Sequence, residues 1–442
     1  MEARRRTISV LMLPWLAHGH ISPYLELAKK LTKRNFHIYF CSTPIILNSI
    51  KPKISQKYSL SIELVELHLP SLEGLPPQYH STKGLPPHLM TTLKEALDMS
   101  SPNFTKILEN LKPDLLLYDF IMPWAPETAQ RMNIPAVNFL ETSTVMIAFS
   151  VHRVRNPSEE FPFPGIFLHD YEKLLFDKAL EDGQVKDKFF KCLEKSCNIV
   201  LFKTFHELEG KYLDYLSEIF KKKMVPVGPL VQDPIEEMED GSKEISKWLD
   251  RKEQSSTVFV SFGSEYFLTK EEREEVAYGL EISKVNFIWV IRFHEEEKTN
   301  LEESLPLKFI DRIGEKGLVV EGWAPQARIL RHCSVGGFVS HCGWSSVMES
   351  MKFGVPIIGM PMQLDQPLNA RLVEDVGVGV EVKRNKSGRF EREEIAKVIR
   401  EVMVEKNRDV KRKAKEMSEN LINRGETEID EMVNELVNLC GF

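Results

Sequence analysis

Residues 323–366 read WAPQARILRHCSVGGFVSHCGWSSVMESMKFGVPIIGMPMQLDQ. The run 334–340 (SVGGFVS) is short and made of small and apolar residues, as a parallel strand buried on both faces requires. His341-Cys342-Gly343 has the character of a tight turn. Ser345 or Ser346 is then placed to cap a helix that runs to about Phe353 and contains Glu349. Gly354-Val355-Pro356 stops that helix, and 355–360 is the next strand. Strand, turn, helix and strand make a βαβ unit. Such a unit binds ligands at the carboxyl ends of its strands, where free N–H groups and the positive end of the helix dipole favour a diphosphate. His341, Ser345 and Ser346 add donors at that point. Trp323 offers a face for a planar base, Glu349 suits a ribose diol, and Asp365 and Gln366 can grip further hydroxyls. The expected ligand is a nucleotide carrying a sugar.

The rest of the chain bounds this reading. At 442 residues it is long for one core, and two domains are expected. Hydrophobic content of 42% and charged content of 28% are ordinary for a globular protein. A net charge of −7 without a basic run speaks against a nucleic-acid stripe. No stretch reaches the ~18 uncharged apolar residues that a membrane span needs. The cysteines are scattered, and the spacing of Cys192 and Cys197 fits no zinc or redox motif, so reduced thiols in a cytoplasmic protein are expected. Arg4-Arg5-Arg6 before an apolar run imitates a signal peptide. The run is broken by Pro14 and lacks a small-x-small cleavage site, so it reads as a first core strand.

Strand and helix patterns alternate along both halves. Strands are expected at 7–13, 36–41, 62–67, 114–118, 135–139, 198–203 and 224–227, with helices at 21–32, 86–112 (one or two) and 124–132, and charged helices up to Cys197. The Pro- and Gly-rich stretch 70–87 is a long loop of the kind that is often functional. The acidic, aperiodic stretch 229–244 reads as a linker. The second half restarts with a short helix at 245–249, a strand at 257–262, a helix at 270–283 and a strand at 286–291. After the quoted stretch come a helix at 366–376, a strand at 378–382, a helix at 391–404 and two charged closing helices. The architecture expected is α/β, with two Rossmann-like doubly wound domains.

A second constellation lies at the N-terminus. Residues 14–23 read PWLAHGHISP, where the first strand gives way to the first helix. A histidine at such a turn faces the crevice at the carboxyl ends of the strands and has the intrinsic pKa to take a proton from a hydroxyl. A lone histidine there would ordinarily be read as a helix cap. Asp119 in PDLLLYDF stands at the end of a later apolar strand, whereas Asp114 stands at its start, the wrong end for a site. In VSFGS (260–264), Gly263 allows close backbone approach and Ser264 can donate to a phosphate. Gly377-Val378-Gly379 does not continue as a dinucleotide fingerprint, and the His332-Cys333 and His341-Cys342 pairs do not make a zinc site.

The stretch 323–366 resembles the signature box of plant glycosyltransferases that use UDP-sugars. That box opens with W-x-P-Q, carries H-C-G-W-x-S and a Glu four residues after x, and ends in D/E-Q. Ser345 stands where the family most often has Asn. HGHISP resembles the family's G-H-x-x-P, and VSFGS its S-F-G-S loop. The resemblance implies the GT-B fold, two Rossmann-like domains facing across a cleft. It divides the chain into an acceptor-binding domain at 1–228, a linker at 229–244, a UDP-sugar-binding domain at 245–424 and a final helix at 425–442 packing back on the first domain. It implies His20, not His18, as general base and Asp119 as its partner. Trp323 stacks uracil, Gln326 hydrogen-bonds it and Glu349 holds the ribose. Ser264, His341, Ser345 and Ser346 take the diphosphate, and Trp344, Asp365 and Gln366 orient the sugar. Ala324 and Gly343 complete the donor set. The closing Gln366 is the family's usual mark for UDP-glucose.

The implied activity is inverting transfer of glucose from UDP-glucose with no metal and no other cofactor. The absence of Asp-x-Asp agrees with that. Segments such as LPWLAHGHISP and YDFIMPWAPE resemble the branch that extends sugars already attached to triterpenoids or flavonoids, with a triterpenoid saponin as the expected acceptor. Transfer of a first sugar to an aglycone, a catalytically silent sugar-nucleotide binder and a nicotinamide oxidoreductase are the alternatives. The last is disfavoured by the missing fingerprint. Trp15, Phe120, Trp124, Thr142 and Ser143 are candidate acceptor-pocket residues. Core packing for the aromatics and helix capping for Thr142 fit equally well. A monomer without nucleic-acid partners is expected.

Overall fold

The computed structural model describes residues 6–54, 58–180, 183–232, 240–264, 266–293, 301–404 and 408–441. Its strands form two parallel sheets. The first holds β1 (Ile8–Leu13), β2 (Phe36–Ser42), β3 (Ile62–Glu66), β4 (Leu115–Tyr118), β5 (Ala136–Leu140), β6 (Ile199–Phe202) and β7 (Lys223–Pro226), in the order β3-β2-β1-β4-β5-β6-β7. The second holds β8 (Thr257–Ser261), β9 (Asn286–Ile291), β10 (Gly317–Glu321), β11 (Val335–Ser340), β12 (Ile357–Gly359) and β13 (Gly379–Glu381), in the order β10-β9-β8-β11-β12-β13. Both orders reverse direction beside the first strand of their sheet, the switch point at which doubly wound sheets open a crevice. The central strands β1, β4 and β5 are buried along nearly their whole length, which is why they read as unbroken apolar runs. The leader-like run is therefore the central strand β1, while Arg4 and Arg5 lie outside the described residues. β10 escaped the sequence reading, being only half-buried and short.

The chain divides into two compact units that do not follow the expected boundaries. The first contains residues 1–144, 180–230 and 424–442, the second residues 145–179 and 231–423. Segment 145–179, expected inside a continuous domain 1–228, belongs to the second unit. A long-range ion cluster ties it there. Arg371, 1% exposed, donates through Nη2 to both carboxylate oxygens of Glu172 at 2.9 Å each, and its Nη1 stands 3.1 Å from Glu381. The guanidinium also lies over the Phe167 ring, 5.4 Å from its centroid. Nothing in the local charge pattern of 145–179 distinguishes this buried partner from a solvated face.

Of the expected linker 229–244, residues 233–239 lie outside the described residues, and helix Asp240–Leu249 has already begun at its end. The two closing helices are one helix, Arg408–Leu439, 32 residues long. Gly425, inside that helix, costs it only about 1 kcal/mol relative to alanine, and apolar anchors on the same helix outweigh it. Ile429, Met432 and Leu436 are buried in the core of the first unit. Arg34 reaches Asp430 at 2.6 Å and Glu426 at 2.8 Å, and Lys223 reaches Glu435 at 2.6 Å. Phe442 lies outside the described residues. The span 86–112 is a pair of helices, Met90–Met99 and Ser101–Leu111. Among the described residues no helix is long and apolar enough to cross a membrane.

Replacing Arg371 with Met strips buried Glu172 of its guanidinium and leaves Glu381 only Lys383, 3.7 Å away. Removing one partner of a buried ion pair costs about 3–5 kcal/mol, so Arg371→Met is expected to lower the urea midpoint of the second unit by a corresponding amount. An unchanged midpoint would show that the cluster contributes nothing to stability.

Candidate active site

In the first unit the switch point lies between β1 and β4. Leu13 pairs with Tyr118, so the two strands end side by side. Asp119 follows directly and has no exposed surface. Its Oδ2 accepts hydrogen bonds from the main-chain N–H of Trp15 (2.7 Å) and lies 2.8 Å from His20 Nδ1, and its Oδ1 accepts from its neighbour Phe120 N–H (2.7 Å). Helix His18–Thr32 begins three residues earlier than expected, so His20 sits in its first turn. The His20 side chain is 27% exposed, and the Phe120 ring stacks on it with centroids 5.2 Å apart.

A third group, which sequence reasoning missed, completes this arrangement. Glu141 Oε2 lies 2.8 Å from the same Nδ1, with the side chain only 4% exposed. Burial lowers the His20 pKa, but Asp119 and Glu141 outweigh it and hold the value well above the ordinary one. Burial, and then Asp119, raise the Glu141 pKa. Three such side chains are also what a metal site offers. With the Nδ1–H tautomer, whose proton goes to Asp119 Oδ2 at 2.8 Å, that nitrogen keeps no lone pair for a cation. His18 has a different environment: burial, Lys53 and Lys83 lower its pKa. Asp114 binds Ser9 at the opposite end of β4.

Of the acceptor candidates, Phe120 is the one whose ring stacks on His20, and the others divide. Trp15 is buried in the core, and Trp124 gives its indole N–H to Asp98 at 3.1 Å and packs edge-on against Phe104. Ser143 is fully buried and Thr142 half-buried.

In the second unit the switch point lies between β8 and β11. The His341 ring lies tightly against the turns after both strands. A Cβ on Gly263 would stand 2.6 Å from its Nε2, and one on Gly343 2.5 Å. The close approach that Gly263 permits is thus to this imidazole. Burial lowers the His341 pKa to about 4, so the ring is neutral at physiological pH. Cys342 adopts the left-handed region (φ 63), with its carbonyl held by Asn369 Nδ2 at 3.0 Å. The turn therefore enters the helix early. That helix is Trp344–Phe353 with Gly343 at the N-cap and no side-chain cap, so neither Ser345 nor Ser346 caps it. Ser345 is exposed in the first turn, while Ser346 and the Trp344 ring are buried.

Gln326 Nε2 donates to Glu349 Oε2 (2.9 Å) and Ser346 Oγ (3.1 Å), drawing three of the expected ligand residues together. Trp323 is 62% exposed, while its neighbour Ala324 is buried. Ser264 is exposed after β8. Asp365 Oδ2 accepts from Asn369 Nδ2 (2.8 Å), and Gln366 Oε1 accepts from the main-chain N–H of Met362 and Gln363 (3.0 Å each).

A family model for the glycosyltransferase N-terminal domain matches residues 6–232, and one described as UDP-glucoronosyl and UDP-glucosyl transferase matches residues 214–419. The chain belongs to the plant UDP-glycosyltransferases. Mogroside IIIx synthase of Siraitia grosvenorii is 55% identical, over 97% of this chain and 93% of its own. The beta-D-glucosyl crocetin beta-1,6-glucosyltransferase of Gardenia jasminoides is 53% identical, over 89% of this chain and 90% of its own. The crystal structure of a Glycyrrhiza uralensis UGT complexed with glycyrrhetinic acid 3-O-monoglucuronide superposes with a TM-score of 0.84 at 25% identity, covering 98% of this chain and 96% of that one. The fold of this glycosyltransferase is accordingly GT-B, and its two Rossmann-like units are the two halves of that architecture.

The fit of His341 between glycines makes a prediction for the glycosyltransferase. Gly263 has φ +77, so alanine there is strained as well as crowded. Such strain costs about 1–3 kcal/mol. Gly263→Ala is expected to weaken UDP binding about tenfold or more in calorimetry, with the His20 end of the enzyme unaffected. Wild-type UDP affinity in this variant would show that the His341 ring position does not matter to the donor.

Proposed function

We propose that the enzyme transfers glucose from UDP-glucose, with inversion and without a metal, to a sugar hydroxyl of a small-molecule glycoside, with a triterpenoid saponin first among the acceptors. The observation that carries this reading is the His20 imidazole held at Nδ1 by buried Asp119. With Nδ1 protonated, Nε2 is left with the lone pair a general base needs. It takes the proton of the acceptor hydroxyl as that oxygen forms its bond to the anomeric carbon. The bond from that carbon to the diphosphate breaks on the opposite face, and the electron pair leaves with UDP. Asp119 stabilises the imidazolium.

In the second unit, the first turn of helix Trp344–Phe353, exposed Ser264 and Ser345, and neutral His341 suit the diphosphate. Trp323 offers the exposed face for uracil, and Gln326 and Glu349 suit base and ribose. Gln366, with Oε1 turned to the 362–363 backbone, keeps its amide N–H groups for a sugar hydroxyl. A glycoside acceptor is supported by the Gardenia relative, whose name states that it glucosylates a glucosyl crocetin. The enzyme is read as a monomer acting in the cytoplasm.

The test is product mass and linkage with UDP-glucose against aglycones and their monoglucosides, with and without EDTA. One hexose gained on the glucosides only, undiminished by EDTA, is expected. Gain on bare aglycones would make it a first-sugar enzyme, and loss with EDTA would overturn the metal-free route. His20→Ala is expected to lower kcat/KM by about 10²–10⁴. Because His20 acts only when deprotonated and its pKa is held above the ordinary ~6.5, kcat/KM should climb with pH through an apparent pKa above that value.

A further inference from the structure

Asp119 is the carboxylate expected beside the His20 base, yet Nδ1 has a second one at the same distance. His20 Nδ1 stands 2.8 Å from Asp119 Oδ2 and 2.8 Å from Glu141 Oε2. The two acids reach it from equivalent places. Asp119 directly follows the last residue of β4 and Glu141 the last residue of β5, and these strands are paired neighbours. Both are buried, and Glu141 Oε1 has no hydrogen-bond partner among the described residues. A carboxyl group buried with one oxygen unsatisfied is expensive to keep for packing alone. Its geometry is spent on the imidazole.

We propose that Glu141 is a positioning residue of the base: together with Asp119 it fixes the Nδ1–H tautomer of His20 and the tilt of the ring, and its charge strengthens Nε2 as a proton acceptor. This rests on the reading of His20 as general base. As the acceptor proton arrives at Nε2, the imidazolium stands beside Asp119 and Glu141 at Nδ1; Glu141, whose pKa burial and then Asp119 push up to about 8, adds its full charge in the upper part of the pH range. The other titratable groups around the trio are Tyr24 on the His20 helix, Tyr118 on β4 and Cys192 from helix Gly183–Lys195. Burial raises the pKa of each, which keeps them neutral. His18, two residues before His20 on the same helix, has its pKa lowered by burial, Lys53 and Lys83, which keeps it neutral. Within this surround Asp119 and Glu141 are the groups that favour the imidazolium.

The experiment is the pH profile of kcat/KM for wild type, Glu141→Gln and Glu141→Asp, with His20→Ala and Asp119→Asn alongside. An opposite charge at this range moves a pKa by about 1–3 units. Glu141→Gln, which keeps the size and removes the charge, is expected to move the acidic limb of the profile down by about one pH unit or more and to lower the plateau about tenfold. Glu141→Asp is expected to restore part of the limb. Direct titration of the His20 ring by NMR should show the same downward movement, and it reads the charge even where turnover is slow. A limb and ring titration unmoved in Glu141→Gln, with His20→Ala inactive, would overturn the role of Glu141 and leave the base intact. Activity persisting in His20→Ala would overturn the base itself.

Discussion

A carboxylate with no exposed surface must be compensated, and at Asp119 that compensation builds the site. Desolvating an ionised carboxyl is costly unless donors replace the lost water. Two of those donors are main-chain N–H groups, from Trp15 beyond β1 and from Phe120 beyond β4. The third is the His20 ring. The charge can be satisfied only while β1 and β4 stay in register, because Trp15 reaches Asp119 only if Leu13 faces Tyr118. Sheet register and imidazole orientation are therefore one constraint. The apolar runs of both strands set the register, and the register sets the imidazole.

The two histidines at the two switch points show how environment sorts one residue type into two kinds of chemistry. His20 is drawn toward the imidazolium by adjacent carboxylates, although burial opposes them. His341 is taken down to about 4 by burial. The first suits a group that must accept a proton. The second suits a neutral group beside a diphosphate, where it takes part through hydrogen bonding without adding a titrating charge. The glycines at 263 and 343 matter for the second case because they admit the ring against the backbone, which is what removes it from water.

Much of this was legible in the sequence. Apolar runs located the central strands, and strand ends located Asp119 and separated it from Asp114. What was missed follows from contacts that no local pattern encodes. Glu141 was overlooked because β5 was expected to stop at Phe139; with its true end at Leu140, Glu141 takes the position on β5 that Asp119 takes on β4. Segment 145–179 was assigned to the wrong unit because its decisive partner, Arg371, lies 199 positions away from Glu172. Two closing helices were expected where one runs through, because the buried Met432 and Leu436 that hold it are tertiary contacts. The serines at 345 and 346 looked like caps because the left-handed turn at Cys342, a conformation side chains seldom adopt, was not foreseeable.

That turn is also tied to the helix that carries the proposed sugar-binding pair Asp365 and Gln366. Asn369 Nδ2 donates both to the Cys342 carbonyl and to Asp365 Oδ2. One fully buried amide thus holds the strained residue beside His341 and the carboxylate that opens the helix carrying Gln366. Gln366 in turn accepts two main-chain hydrogen bonds at Oε1. Those two donors dictate which end of its amide points away from the loop, because an N–H cannot donate to an NH₂ group that is itself a donor. A sugar meeting Gln366 therefore meets donors, and a sugar meeting Asp365 meets a carboxylate already fixed in orientation by Asn369. Hydroxyls can satisfy both at once, since each can accept from one and donate to the other. A fixed donor beside a fixed acceptor is what the proposed binding of a polyhydroxylated ring calls for, and the pairing depends on a fully buried amide.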